Sequence, residues 1–298
     1  MSEVLEIPAP GHRTLEVLVS GDPIGLPLLY HAGSPSAVVD FPPLQDAAER
    51  AGMRLITHSR AGYGGSSPKP MPTTGPLIVD DLGDLTAILD HFDIGAFVTL
   101  GWAGGGPRAL LCAATMADRC LSASTVASVA PVDGAGLDWV AGMVPANVAE
   151  LAAAAQGARA YAAYLAREFA PFLDATAEMV AESMYGAVTA VDRPMVTPEY
   201  AAFLAATFRR SAIQGVTGAR DDGLAIMSRW GFDLDEIAVP VSIWHGVADA
   251  MVPFAHGAWL ADHVPGARHH LLPDDGHLTM LGRLDEILAD LRDLAGLR

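Results

Sequence analysis

Residues 99–107 read Thr-Leu-Gly-Trp-Ala-Gly-Gly-Gly-Pro, and no other stretch of the chain restricts the fold as tightly. The preceding residues, Ala96-Phe97-Val98-Thr99-Leu100, form an apolar run of strand length. Pro107 suits the first turn of a helix, where its missing N–H costs little. Residues 108–116 continue as that helix. A strand that turns sharply into a helix thrusts one side chain out at the top of a sheet, and here it is Ala103. The apex residue of such a turn takes a positive φ. The positions two before and two after it lie too close to the turn to carry a side chain, and they are Gly101 and Gly105. The helix start offers free N–H groups and the positive end of a dipole to a developing anion. The apex side chain of this turn is a methyl group, which carries no reactive atom.

Four further segments follow an order that gives this turn a meaning. His31-Ala32-Gly33-Ser34-Pro35 ends an apolar run at residues 26–30, and Ser59-Arg60-Ala61-Gly62-Tyr63-Gly64-Gly65-Ser66 follows another at residues 54–59. The buried-strand pattern of residues 240–246 leads into Val247-Ala248-Asp249-Ala250-Met251-Val252-Pro253. The strand pattern of residues 268–273 leads into Asp274-Asp275-Gly276-His277. Together these segments resemble the α/β-hydrolase superfamily. They match its Gly-x-Ser-x-Gly elbow, its His-Gly-x-Pro turn, its Gly-x-Gly-x-Ser loop, its acid loop and its Gly-His turn, in the expected chain order of elbow, acid, histidine.

That resemblance implies an α/β fold, with a mostly parallel central sheet, flanking helices and a helical cap. It places the nucleophile position at Ala103, the orienting acid at Asp249 and the base at His277. In such a triad, neutral imidazole takes the hydroxyl proton, and the carboxylate fixes its tautomer and stabilises its charged form. The backbone N–H groups of Ser34 and Gly104 are the expected oxyanion donors. Asp133 lies near an alternative acid position, and Asp249 is the better motif match. The loop at residues 59–66 is read as structural. Three readings of Ala103 stand open. A serine was replaced, giving an inactive form that traps substrate. The chain is a natural non-hydrolytic member, a ligand receptor or a cyclase-like enzyme. Or a nucleophile lies elsewhere, for which Cys112, inside the elbow helix, is a poor candidate. The first is favoured, because Asp249, His277 and the tight glycines are intact.

The 298 residues suit one core with an insertion: core at 1–133, helical cap at 134–231, core again at 232–298. The cap segment lacks strand patterns and is rich in Ala and Met. Residues 147–169 read as a helix with Asn147 as N-cap and Gly157 as a break, and residues 173–185 and 198–215 as further helices. Trp102, beside the elbow, is expected at the base of the site. Trp139, Met143 and Tyr185 are expected on the pocket wall, with Tyr164, Phe172 and Met184 as further candidates. Few charges in that wall point to a small, mostly apolar ester or lactone. The elbow departs from the Gly-Gly-Ser-Trp-Gly form of the proline iminopeptidase branch. Nothing supports the aspartate nucleophile of a dehalogenase or epoxide hydrolase, and a cofactor-free haloperoxidase activity stays open. The net charge of −17 disfavours nucleic acid and anionic membrane as partners. No apolar run reaches membrane-spanning length, and the start, Met1-Ser2-Glu3-Val4, lacks a basic leader. Two cysteines, Cys112 and Cys120, fit a reducing, cytoplasmic setting. The ten histidines show no metal-ligand spacing, so no metal or cofactor is expected. Nothing in the sequence sets an oligomeric state.

Overall fold

The computed structural model describes residues 2–297 and is organised around one eight-stranded sheet. β1 (Glu3–Ala9) pairs with β2 (Arg13–Gly21) in an antiparallel hairpin. Next come β3 (Leu26–His31), β4 (Met53–His58), β5 (Phe97–Trp102), β6 (Cys120–Val126), β7 (Val241–Gly246) and β8 (Arg268–Leu272). β2 runs antiparallel to β4, and the remaining pairings are parallel. The order across the sheet is β1-β2-β4-β3-β5-β6-β7-β8. Every residue of β5 and β7 is buried, as expected for parallel strands covered on both faces. The sequence pattern reads a single opening strand, at residues 13–19. β1 escapes it because Pro8 interrupts its alternation, and an edge strand tolerates proline.

Before β6 the chain forms α1 (Pro42–Arg50), α2 (Leu82–His91) and α3 (Gly106–Thr115). Between β6 and β7 lie five helices and no strand: α4 (Pro145–Ala154), α5 (Ala158–Glu168), α6 (Ala177–Ala187), α7 (Pro198–Ser211) and α8 (Thr217–Ile226). α9 (Phe254–His263) follows β7, and α10 (Leu284–Leu294) closes the chain. One side of the sheet packs Leu85, Leu89, Leu110 and Leu260 from α2, α3 and α9. The other packs Leu44 and Ala47 from α1 with Leu288 and Leu291 from α10. Each such fully buried leucine contributes about 1.5–3 kcal/mol by leaving water.

The insertion departs from its sequence pattern at the start of its first helix. Gly157, with φ 95°, does separate α4 from α5. Asn147 is not the cap, however. Pro145 sets the first turn two residues earlier, after Val144, and the Asn147 amide instead donates to Met251 O at 3.0 Å. α6 and α7 start on true side-chain caps, Thr176 and Thr197, which accept from Met179 N and Tyr200 N. Among the described residues no helix is long and apolar enough to cross a membrane.

Candidate active site

In an open parallel sheet, ligands gather beyond the carboxyl ends of the strands. β5 sits between β3 and β6, and its end carries the elbow. Ala103 has φ 49°, and a 3₁₀ turn at Ala103–Gly105 leads into α3. The glycines follow from contact. A Cβ on Gly101 would lie 2.5 Å from Gly105 O and 2.6 Å from Gly106 Cα, and one on Gly105 would collide with His31 O. A Cβ on Gly104 would lie 2.7 Å from Ser34 Oγ, so the turn after β3 crosses directly over the elbow.

Asp249 and His277 are brought together from the loops after β7 and β8. His277 Nδ1 donates to Asp249 Oδ2 at 2.8 Å. The other carboxylate oxygen, Oδ1, accepts the N–H groups of Met251 and Val252, both at 2.9 Å. Trp102 Nε1 approaches His277 Nε2 at 3.4 Å. An indole nitrogen only donates, so Nε2 presents its lone pair and the imidazole is the neutral Nδ1–H tautomer. Burial opposes charge on His277, but the charge and hydrogen bond of Asp249, helped by Asp192, outweigh it and raise its pKa above the ordinary value.

Two carboxylates from the insertion hold this centre, and nothing in the sequence pattern marks them. Asp192, 1 % exposed, accepts three backbone N–H groups of the histidine turn: His277 at 2.9 Å, Leu278 at 2.8 Å and Thr279 at 3.0 Å. Asp222 on α8 binds two buried guanidiniums, Arg60 Nε at 3.0 Å and Arg108 Nη2 at 2.6 Å. It also accepts from the Ser34 hydroxyl. Arg60 in turn donates to Ala32 O at 2.7 Å and Gly33 O at 2.9 Å. Arg108 donates to Gly104 O at 3.0 Å. One bracket therefore grips both turns that carry the expected oxyanion donors. Ser34 N–H donates to no described residue, and Gly104 N–H lies in a first helical turn, where the ladder gives it no acceptor. The loop at residues 59–66, read from sequence as purely structural, thus supplies Arg60 to this bracket.

The centre opens into two lobes, both lined by Ser34, Ala103, Met251 and His277. One, about 140 Å³, is aromatic, with Phe41, Tyr200, Phe203 and Phe208, and includes Trp102 and Met184. The other, about 170 Å³, includes Trp139, Met143, Glu150 and Tyr161. Larger clefts of about 410 and 780 Å³ touch none of Ala103, Asp249 and His277. Of the residues expected on the pocket wall, Trp102 and Met184 line the first lobe and Trp139 and Met143 the second. Tyr185 is half-exposed and lines neither lobe. α6 buries Val180 and Met184, and the next residue points about 100° further round the helix. Tyr164 and Phe172 pack among the cap helices. Asp133 pairs with Arg229 at 3.1 Å and is half-exposed, so it does not face His277. Cys112 is no nucleophile. Burial, with Cys120 beside it, holds its thiol well above the ordinary value.

The sequence profile described as alpha/beta hydrolase fold matches residues 27–283. The chain is 28 % identical to a non-heme chloroperoxidase from Streptomyces lividans over 240 residues, 78 % of each chain. Among solved structures it is similar to a bromoperoxidase from Bacillus anthracis, with TM-score 0.69, 20 % identity, and 98 % and 100 % of the two chains covered. An enol-lactonase from Burkholderia xenovorans gives TM-score 0.68 at 18 % identity, also covering 98 % and 100 %.

Proposed function

We propose that this chain, which belongs to the alpha/beta hydrolase fold family, is a serine-type hydrolase of small, mostly apolar esters or lactones, held in a binding-only state by Ala103. The single observation that carries the reading is the His277–Asp249 hydrogen bond of 2.8 Å, set beside an elbow apex still held at φ 49°. Positive φ costs an L-residue about 1–2 kcal/mol, and strain of this kind clusters at active sites.

With serine at 103, the hydroxyl oxygen attacks the carbonyl carbon while His277 Nε2 takes its proton. The negative oxygen forms against the Ser34 and Gly104 N–H groups. The imidazolium, balanced by Asp249, gives the proton to the departing alcohol. Water then attacks the acyl-serine, His277 accepts its proton, and the proton returns to the serine oxygen as the acid leaves. Removing one oxyanion donor costs on the order of 10²–10³ in rate, which gives the Asp222 bracket a kinetic role. With alanine the sequence stops at binding.

Ala103→Ser tests this. The variant is expected to hydrolyse members of an ester and lactone panel, with kcat higher by on the order of 10⁶ than the alanine chain. A fluorophosphonate should label it, and a further His277→Ala change should abolish labelling. Similarity to proteins named chloroperoxidase and bromoperoxidase puts peroxide with halide on the same panel. Calorimetry should show the alanine chain binding the esters that the serine form cleaves. No label and no turnover across the panel would transfer the reading to a natural ligand-binding protein.

A further inference from the structure

The lobe of about 170 Å³ matches the size of cavity that accepts a benzene ring, but its wall is not all apolar. Glu150 on α4 and Tyr161 on α5 both line it. Tyr161 gives its one hydroxyl proton to Glu150 Oε1 at 2.6 Å. Glu150 Oε2 accepts nothing from any described residue, and the tyrosine oxygen has no remaining proton. Asn147, also in the wall, has its amide nitrogen on Met251 O, which leaves its carbonyl oxygen without a donor.

The charges around the pair sharpen the picture. Burial raises the Glu150 pKa first, the Tyr161 hydrogen bond lowers it, and Asp222 and Glu168 raise it further. Among the described residues no salt bridge reaches Glu150, and Arg60 and Arg108 are both engaged by Asp222. The lobe therefore offers acceptors and negative charge beside the reaction centre, and its own chain supplies few donors.

We infer that this lobe is a subsite for a hydrogen-bond-donating substituent, an ammonium or a hydroxyl, carried on one side of the scissile carbonyl, with Glu150 as its acceptor. The aromatic lobe takes the other side. The inference deepens the ester or lactone reading and rests on it only for where the carbonyl sits. It fits the expectation of a wall with few charges and names one of them, Glu150 in α4. Periodicity could not distinguish Glu150 from a solvated helix residue.

The test uses phenyl esters of 6-aminohexanoate, 6-hydroxyhexanoate and heptanoate. A reversed set, the phenylacetate esters of the matching amino-, hydroxy- and methyl-terminated alcohols, covers the opposite orientation. Calorimetry on the alanine chain reads binding with no hydrolysis. In one of the two sets the amine and hydroxyl members should bind at least tenfold more tightly than the methyl member. Glu150→Gln keeps an acceptor for the Tyr161 proton and removes the charge. It should cut the amine-to-methyl ratio about tenfold and leave the hydroxyl-to-methyl ratio less changed, with thermal melting confirming that the variant is folded. If only the hydroxyl member gains, or only the amine, the donor is identified and the subsite stands. Equal affinity across both sets, or ratios unmoved by Glu150→Gln, would overturn it. Turnover of the same esters by Ala103→Ser separates the two readings. An inactive serine form whose alanine parent still shows the Glu150-dependent ratio would defeat the hydrolase and keep the subsite.

Discussion

Around Ala103 the residues bear on one another through a single imidazole. His277 must be neutral at Nε2 to take a proton, and its pKa lies above the ordinary 6.5. In the Ala103→Ser form, kcat/KM should therefore fall on the acid side with a midpoint above that value. The Trp102 N–H donates to the neutral imidazole, and a hydrogen bond to the neutral form disfavours charge. Trp102→Phe should thus move the midpoint higher. Asp249→Asn removes the charge that favours the imidazolium. It should move the midpoint lower and cut kcat by on the order of 10⁴. pH–rate profiles of the three enzymes check both directions, and an unmoved midpoint in Trp102→Phe would reduce the indole to a wall. Much of this centre was legible beforehand, because glycines at 101 and 105, a histidine after the last strand and an acid after β7 are local signals. The Trp102–His277 contact joins residues 175 positions apart, and no window of sequence contains it.

Among the elements, the insertion holds the turns of the core as well as roofing them. Apart from β1 and α1, the strands and flanking helices follow from apolar runs and 3.6-residue periodicity. Asp192 and Asp222 do not, because their partners are backbone N–H groups and arginines supplied by distant segments. Asp192 lies between α6 and α7, and its three acceptor contacts fall 85 to 87 positions away. Replacing it by asparagine removes the charge and turns an amide group towards N–H donors. Stability should drop by about 2–3 kcal/mol, the worth of hydrogen bonds to a charged group. The charge of Asp192 also helps to raise the His277 pKa, so in the Ala103→Ser background Asp192→Asn should shift the acid limb of kcat/KM to lower pH and lower kcat more than it changes KM. Asp192 is then a positioning residue. A lower denaturation midpoint with an unmoved acid limb would show it to be a cap anchor alone.

For the whole molecule, acid stability is set by histidines that the fold keeps neutral. Burial lowers His58, with Arg60 adding to it, and burial lowers His256, each to about 4 from 6.5. His31 and His245 are lowered as well, again first by burial. A folded pKa below the unfolded one means the unfolded chain binds the proton more readily. The stability from these groups is complete above pH 6.5 and is lost as pH falls towards 4. Each group held from 6.5 down to about 4 contributes on the order of 3 kcal/mol. His277 has the opposite sign, because its raised pKa gives stability that is full below 6.5 and is lost at higher pH. The carboxylates of Asp81, partly buried, and Asp222, buried, are lowered, so their contributions hold above the ordinary carboxylate value of 3.8 and fade only as pH falls beneath it. The window between 6.5 and 4 thus belongs to the neutral histidines. His256 shows the physical event. Its Nδ1 accepts from Ala130 N at 3.0 Å, and its Nε2 donates to Trp139 O at 2.8 Å. A proton on Nδ1 would set two N–H groups face to face and displace Ala130, whose carbonyl accepts from the indole of Trp139, a wall of the polar lobe, at 2.7 Å. Urea denaturation across this window should show unfolding free energy falling steadily with pH, and His256→Gln should flatten the slope by roughly one proton. The same variant at neutral pH should weaken ester binding in the alanine chain, because Trp139 loses its fixed position. A slope identical in parent and variant would mean that His256 is already charged in the fold, and the Trp139 wall would then owe its place to packing alone.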